Sequence, residues 1–325
     1  MLNLFSHIET NNLRLKNRIV LPPMATEKST SNGTVTDQLI KHYTDRAKDL
    51  GLMIVEHSYV HPSGKLSKKQ LGSYSDDLLQ GLRNLVDEIH KLDTPIVLQI
   101  NHAGGTSKEE IIGRKPLSPS KEYFNKAVKM TKEDIKTIKN SFSDAAVRAE
   151  KVGFDGIEVH GAHGFLLGQF TSPLVNNRED EYGGSLENRM RFPLEVVEAV
   201  KNKTDDIEIL YRLGSTDLEP EGQTVEESIE LAKRLEEIGV DMIDVSGNMC
   251  GSAPESLDGE QGFFIEQANK IKQEVDVPVI GVGGIREPEF ANKMIKDEKV
   301  DLIAVGREYL KDPKWACKAK EKLQS

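Results

Sequence analysis

The stretch that decides the fold is residues 157–165, which read Ile-Glu-Val-His-Gly-Ala-His-Gly-Phe. Its first residues have the pattern of a buried strand, and they run directly into a glycine-containing turn that carries His160 and His163. In α/β barrels and open parallel sheets, ligands bind at the carboxyl ends of the strands. The two imidazoles are therefore candidates for a ligand site, with a pair of surface-loop histidines as the equal alternative. A zinc site is disfavoured, since helical metal pairs are four residues apart and no third His or Cys has ligand spacing.

Outward from this stretch, a short apolar run followed by a charged segment with helical spacing recurs along the chain. Eight strands are predicted, at residues 18–21, 52–56, 96–100, 156–160, 208–213, 242–245, 277–282 and 302–305. Amphipathic helices are predicted between them, including residues 77–92, 131–152, 186–203, 224–238 and 263–274. Single buried strands that alternate with helices specify parallel pairing, and eight such units close a barrel. We therefore predict a single-domain (β/α)8 TIM barrel over residues 1–325, with its active site at the C-terminal face.

Local signals support these elements. Thr131 with Asp134, and Thr224 with Glu227, have the spacing of capping boxes, and Ser185 is a predicted N-cap. The connection over residues 102–130 is long enough to be functional, and it follows the third strand. It is predicted to form a rim or lid on the ligand face.

Composition excludes several classes of protein. A net charge of −10 and a pI near 5.4 argue against partners such as nucleic acid or an anionic membrane surface. No apolar run approaches a spanning helix, and residues 1–18 lack a signal-peptide layout, so a cytoplasmic protein is expected. The two cysteines, Cys250 and Cys317, cannot supply a four-thiolate iron–sulfur cluster. Both are expected to be structural, although Cys250 could also lie exposed near the site.

Glycines at the ends of the last two strands indicate where a phosphate binds. Strand seven ends in Gly281-Val282-Gly283-Gly284 and strand eight in Val305-Gly306-Arg307. Glycines let backbone N–H groups approach a phosphate, and these two loops commonly bind one in barrels. Arg212 and Gln99 end two other strands and need polar partners. With the histidines, they favour a planar polar ligand, unless they satisfy each other or the lower barrel layers.

Motifs in order along nearly the whole chain resemble the Old Yellow Enzyme family of FMN-dependent ene reductases, in its shorter bacterial form. They are Leu15-Lys16-Asn17-Arg18-Ile19-Val20 with Pro23-Met24, Ile54-Val55-Glu56, Leu98-Gln99-Ile100-Asn101-His102-Ala103-Gly104, Gly153 to His160, Ser172-Pro173, Asp180 to Ser185, Glu187-Asn188-Arg189, and Val305-Gly306-Arg307.

The resemblance implies one noncovalent FMN over the barrel mouth, with NAD(P)H as reductant. The residues it implies for the cofactor are Pro23, Met24 and Ala25 near N5, His57 on the neighbouring strand, Gln99 on the pyrimidine edge, Arg212 near N1, and Gly283, Gly284, Gly306 and Arg307 at the phosphate. His160 and His163 would bind the carbonyl or nitro oxygen of an activated alkene, which is reduced after the nicotinamide has left.

The chain departs from the family pattern around the substrate. Phe165 stands where most relatives have a proton-donating tyrosine, and Tyr59 is a speculative substitute. Ala25 replaces the usual cysteine or threonine beside N5, and Glu27 replaces a tyrosine that faces the substrate. An acid at Glu27 would repel anionic ligands.

These departures keep two alternatives open beside the NAD(P)H-dependent ene reductase. One is FMN-dependent oxidation of an amine or N-methyl compound, because Glu27 and Phe165 could cradle a cation. The other is a flavin-binding protein with little turnover. The expected partner is a small-molecule electron acceptor, and a homo-oligomer is possible.

Overall fold

The computed structural model describes residues 2–324, which form a closed barrel of eight parallel strands with helices outside it. The strands are β1 (Ile19–Leu21), β2 (Leu52–Tyr59), β3 (Ile96–Asn101), β4 (Gly156–Gly161), β5 (Glu208–Gly214), β6 (Met242–Ser246), β7 (Val279–Gly281) and β8 (Leu302–Ala304). Each strand pairs with its neighbours in sequence, and β8 closes on β1. The predicted TIM barrel is confirmed.

Two strands differ in length from their predicted ranges. β7 is shorter than expected, because only Val279, Ile280 and Gly281 have ladder partners on β6 or β8. β2 is longer and runs to Tyr59, and its pairing with β3 shifts register between Val55 and Ser58. That shift is a β-bulge, which places one extra residue on β2 and re-aims the side chains beside it.

The outer layer consists of helices that mostly follow the strands. They are α1 (Asp37–Ala47), α2 (Leu79–His90), α3 (Lys132–Val152), α4 (Leu186–Lys201), α5 (Val225–Glu237), α6 (Ile265–Lys272), α7 (Pro288–Lys296) and α8 (Trp315–Gln324). Shorter helices span Glu109–Ile112, Leu166–Thr171 and Arg307–Lys311. Within residues 2–324, none of the helices is long and apolar enough to cross a membrane.

The predicted helix starts are confirmed in part. Thr131 and Asp134 form a complete capping box, and Ser185 caps α4 through the Asn188 amide. Thr224 accepts from the Glu227 amide, but the Glu227 carboxylate pairs with Arg189 instead of returning to the cap. The second box is therefore half formed.

The barrel interior is filled in layers. Its lower part is apolar, with Val20, Ile54, Val97 and Leu210 in one buried cluster. A two-stranded antiparallel sheet, Ile8–Glu9 with Arg14–Leu15, covers the amino-terminal end, and Leu15 joins the same cluster. Polar side chains follow above this layer, so the site lies at the carboxyl end.

The long connection after β3 has structure of its own. Its residues Leu117–Ser118 pair in parallel with Val128–Lys129. The buried Arg178 side chain donates to the carbonyl oxygens of Pro119 (3.1 Å) and Met130 (2.8 Å) and pairs with Asp180. This guanidinium therefore joins the connection to the loop that follows Leu166–Thr171.

Candidate active site

A cavity of about 420 Å³ opens at the carboxyl end of the barrel. It brings together almost all the predicted site residues: Pro23, Met24, Ala25, His57, Gln99, His160, His163, Phe165, Arg212, Gly283, Gly284, Gly306 and Arg307. They come from seven strand ends and the segments that follow them. The volume is in the range of small-molecule and cofactor sites.

The histidine end of the cavity is built on the turn after β4. His163 has a left-handed backbone (φ 57°), and its Nε2 lies 2.8 Å from the Ser246 hydroxyl. The Ala162 amide donates to Nδ1 of His160 (3.3 Å), so the proton of that neutral ring is on Nε2. Burial lowers the pKa of both rings well below the usual histidine value, and Arg212 and His57 lower it further. Both imidazoles are neutral donors at neutral pH.

The Phe165 ring packs against the imidazoles of His160 and His57. Its ring centroid is 4.9 Å from that of His160 and 5.5 Å from that of His57. No tyrosine is among the cavity residues described, so a phenol donor is missing from this wall.

The floor of the cavity is a buried network of four side chains. Gln99 donates to Glu158 (2.7 Å), and Arg212 pairs with Asp244 (2.8 Å). Burial and the neighbouring Asp244 carboxyl raise the pKa of Glu158 well above its usual value. Burial also raises the pKa of Asp244, but Arg212 and the hydrogen bond with Glu158 oppose that rise. We therefore assign a proton to Glu158, which donates it to Asp244, and a negative charge to Asp244. Gln99 and Arg212, which the sequence predicted at this end, thus each have a buried carboxyl partner in the floor.

This floor can still receive a ligand. Nε of Arg212 is buried without a hydrogen-bond acceptor within residues 2–324, and the amide of Gln99 donates only to Glu158. An unpaired buried donor carries a free-energy cost unless a ligand supplies the acceptor. The floor therefore fits a planar heterocycle with polar atoms on its edge, as an isoalloxazine has.

The opposite end is a glycine and cation cradle. Gly283 and Gly284 have positive φ, and a Cβ on Gly284 would lie 2.6 Å from a backbone oxygen. The Arg307 side chain makes no hydrogen bond or ion pair with other described residues, and Arg286 and Lys311 also line this end. Backbone amides and cations of this kind suit a phosphate.

The segment that follows β1 is fixed by the carboxylate of Glu56. Glu56 accepts from the Thr26 amide (2.9 Å) and hydroxyl (2.6 Å), and the Tyr43 hydroxyl accepts from the Glu56 amide. These bonds hold Met24 and Ala25 against the cavity.

Two side chains that the sequence placed near the substrate, Glu27 and Tyr59, lie elsewhere. Glu27 does not line the cavity: it has φ 54° and accepts from the Ser67 hydroxyl and the Lys69 amide. Tyr59 points away, donating to the Asn32 carbonyl (3.0 Å) and stacking on Tyr74, so it cannot replace the missing phenol.

The long connection and the cysteines are also outside the cavity. Residues 102–130 contribute none of its lining, so the connection is neither a rim nor a lid of this cavity. Cys250 borders a separate cavity of about 250 Å³ and donates to the Thr216 carbonyl, while Cys317 contacts Asp49. Burial raises the pKa of Cys250 to about 11.

Sequence reasoning missed Ser246, Arg286 and Lys311. Ser246 ends β6, so the rule that singled out Arg212 and Gln99 would have found it. Lys311 follows Arg307 by one helical turn, which places both on one face of a helix.

The fold and site define a barrel enzyme whose cavity accepts a planar ring with a phosphate tail. The model of the NADH:flavin oxidoreductase / NADH oxidase family matches residues 3–325. The chain is 42% identical to an NADH oxidase of Thermoanaerobacter brockii over 99% of its length, and 39% identical to NADPH dehydrogenases of Clostridium acetobutylicum and Geobacillus thermodenitrificans over 96% and 98%. It spans 51% of the first relative and 93% and 94% of the other two.

Solved structures agree with these relatives. The complex of 2-naphthoyl-CoA reductase with 2-naphthoyl-CoA superposes with a TM-score of 0.91 over 98% of this chain and 52% of that one, at 27% identity. An old yellow enzyme homologue from Zymomonas mobilis shares the fold, with a TM-score of 0.85 at 22% identity, over 98% of this chain and 92% of that one.

The chain belongs to the NADH:flavin oxidoreductase / NADH oxidase family. Membership of this family makes it an FMN-dependent NAD(P)H oxidoreductase.

Proposed function

We propose that this chain is an ene reductase that takes electrons from NAD(P)H and passes them to an activated alkene. The whole of residues 1–325 is proposed as one FMN-binding domain. When bound, FMN accepts a hydride and later releases it to the acceptor. The observation that carries the proposal is a cavity with two neutral imidazoles at one end and an unpaired arginine with glycines at the other.

The chain's own residues divide into three tasks. Gly283, Gly284, Gly306 and Arg307 are proposed to hold the phosphate through amides and one guanidinium. Pro23, Met24 and Ala25 would line one edge of the ring beside His57, while Gln99 and Arg212 would bind its polar edge. The ion pair with Asp244 keeps Arg212 in place beneath the ring.

His160 and His163 are proposed to stabilise charge on the acceptor. The Nε2–H of His160 would donate to the acceptor's carbonyl or nitro oxygen, where negative charge grows in the transition state. The Ser246 hydroxyl binds Nε2 of His163, so Nδ1 is the nitrogen that His163 would offer to the acceptor. Because Phe165 has no proton to give, the proton for the α-carbon is proposed to come from solvent.

The amine-oxidation alternative loses its motivation, because Glu27 lies outside the cavity that would hold the cation. We further propose a small-molecule acceptor and a cytoplasmic location for the chain.

Anaerobic reduction of the FMN-loaded protein by NADH and NADPH, followed by reoxidation with 2-cyclohexenone, tests the proposal. Bleaching by a nicotinamide and recovery with the enone are expected. His160→Ala should slow the recovery by about 10² or more, as loss of an oxyanion donor does. The matched control is His90→Ala, since His90 is at the surface and pairs with Asp155. Bleaching without recovery would instead favour a flavoprotein of low turnover.

A further inference from the structure

A second cavity, of about 250 Å³, lies at the same end of the barrel as the active site. Its lining comes from the loops that follow β3, β4, β5 and β6. Sites that bury drug-sized ligands usually measure about 300–1,000 Å³, so this one fits a part of a larger molecule.

One loop separates the second cavity from the active site. In the loop after β6, Ala253 lines the active-site cavity, whereas Met249 and Glu255 line the second. A Cβ added to Gly164, the residue after His163, would lie 3.4 Å from Cε of Met249. The Met249 side chain therefore lies against the turn that carries the imidazoles. A ligand that occupies both cavities has only this loop to cross.

The walls of the second cavity are held in place by Asp217, which is 1% exposed. Its carboxylate accepts from the Ser172 hydroxyl (2.7 Å) and from the backbone amides of Gln223 (2.7 Å) and Met249 (3.0 Å). These residues follow β4, β5 and β6, so one carboxylate ties three of the four loops together. The cavity is thus preformed, as small-molecule sites usually are.

The entrance of the second cavity is aromatic and apolar. Tyr123 and Leu218 are 48% and 41% exposed, although few large apolar side chains of residues 2–324 are exposed. Leu218 has a left-handed backbone (φ 57°), which residues other than glycine rarely adopt. Leu174 and Met249 continue the apolar surface inward. A flat aromatic group can stack on Tyr123 at this entrance.

The charged groups of the second cavity are all acidic. Glu219 and Glu255 line it beside Asp217, and their carboxylates make no hydrogen bond or ion pair with other described residues. No lysine, arginine or histidine is among the described residues that line it. Free carboxylates accept hydrogen bonds from hydroxyl groups and repel phosphate. The second cavity therefore suits an aromatic ligand with hydroxyl groups and without a phosphate at that position.

We propose that the second cavity binds the adenosine half of NADH, with the adenine on Tyr123 and the ribose hydroxyls on Glu219 and Glu255. The inference rests on the proposed function, in which the nicotinamide ring enters the active-site cavity. NADH has a vicinal diol where NADPH carries a 2′-phosphate, and a carboxylate on that diol selects NADH in dinucleotide sites. The pyrophosphate would cross Ser252 and Ala253, which are exposed, and stay in water.

ADP-ribose and its 2′-phosphate test the site without hydride transfer, because both lack the nicotinamide ring. In calorimetric titration of the FMN-loaded protein, ADP-ribose should bind about tenfold more tightly, since two carboxylates act on the phosphate but are screened by solvent. The double variant Glu219→Gln, Glu255→Gln should bring the two affinities within about twofold. Tyr123→Ala should weaken both by about tenfold through the loss of stacking. Glu266→Gln, an exposed glutamate of α6, is the matched control and should change neither.

Anaerobic stopped-flow reduction gives a second readout. The Kd of each nicotinamide comes from the dependence of the bleaching rate on its concentration. The wild type should have a Kd for NADH about tenfold below that for NADPH, with limiting rates within about twofold, because the reacting rings are identical. Glu219→Gln, Glu255→Gln should lose the difference in Kd and keep the limiting rates.

Coenzyme A carries an adenosine as well, but its ribose has a 3′-phosphate that would meet the same carboxylates. It should therefore not displace ADP-ribose. Displacement by coenzyme A, no binding of ADP-ribose, or a preference that persists in the double variant overturns the adenosine site and leaves the proposed function standing. Protein that neither nicotinamide bleaches refutes the proposed function instead.

Discussion

Neutralising either carboxyl of the buried pair beneath Arg212 should destabilise the protein, but by very different amounts. Asp244→Asn removes the counter-ion of a guanidinium whose side chain is 4% exposed. Breaking a buried ion pair costs about 3–5 kcal/mol, and we expect about 3 kcal/mol here because Glu158 can release its proton and supply part of the charge. Glu158→Gln replaces a protonated carboxyl with a neutral amide that still accepts from Gln99 and donates to Asp244. Its cost should stay below about 1 kcal/mol.

The pH dependence of these variants follows from the raised pKa of Glu158. In the folded state Glu158 stays protonated at pH values above its unfolded pKa of about 4.3. Its contribution to the free energy of unfolding is therefore complete below that pH. It is lost as pH rises through the folded pKa. Glu158→Gln removes that loss, and its free energy of unfolding should therefore improve relative to the wild type as pH rises from 4.5 to 8.

Urea denaturation of the FMN-free protein measures both effects, with Trp315, the single tryptophan, as the fluorescence probe. Equal m-values are required for the comparison. A costly Glu158→Gln beside a mild Asp244→Asn would reverse the assignment of the proton and refute the reasoning.

Three other predictions concern the walls of the site and a buried histidine. Phe165→Tyr should speed anaerobic reoxidation by an enone by about 10², the lower part of the range for general acid catalysis, and an unchanged stopped-flow rate would mean that solvent already suffices. Arg307→Ala should weaken FMN binding by about 10-fold to 100-fold through loss of a charge-assisted bond, measured by fluorescence titration, whereas Arg83→Ala on the surface should not. Burial lowers the pKa of His102 to about 3, so folding stability should fall as pH drops from 6.5 toward 3, and His102→Gln should flatten that slope in urea melts; an equal slope would contradict this.

The barrel could be predicted because its signals are local. Each strand is a short, mainly apolar run, and parallel pairing brings all the carboxyl ends of the strands to one face. His160, Gln99 and Arg212 were found by this rule before any contact was known. Glycines at the ends of the last two strands extended it to the phosphate cradle, which the structure places at the same cavity.

The misplaced residues depended on long-range contacts that no local pattern reveals. The orientation of Glu27 follows from a left-handed backbone and from donors forty residues away in the chain. Tyr59 is fixed by Asn32 and Tyr74. The bulge that directs His57 toward the cavity is a property of the pairing between β2 and β3. The register of two paired strands cannot be derived from the sequence of one of them.

The bridge made by Arg178 limits how this protein can be engineered. A graft that exchanged residues 103–130 for a foreign segment would strip a buried guanidinium of two carbonyl acceptors. Transplants should therefore carry residues 176–182 along with the exchanged segment, so that donor and acceptors arrive as a matched cassette.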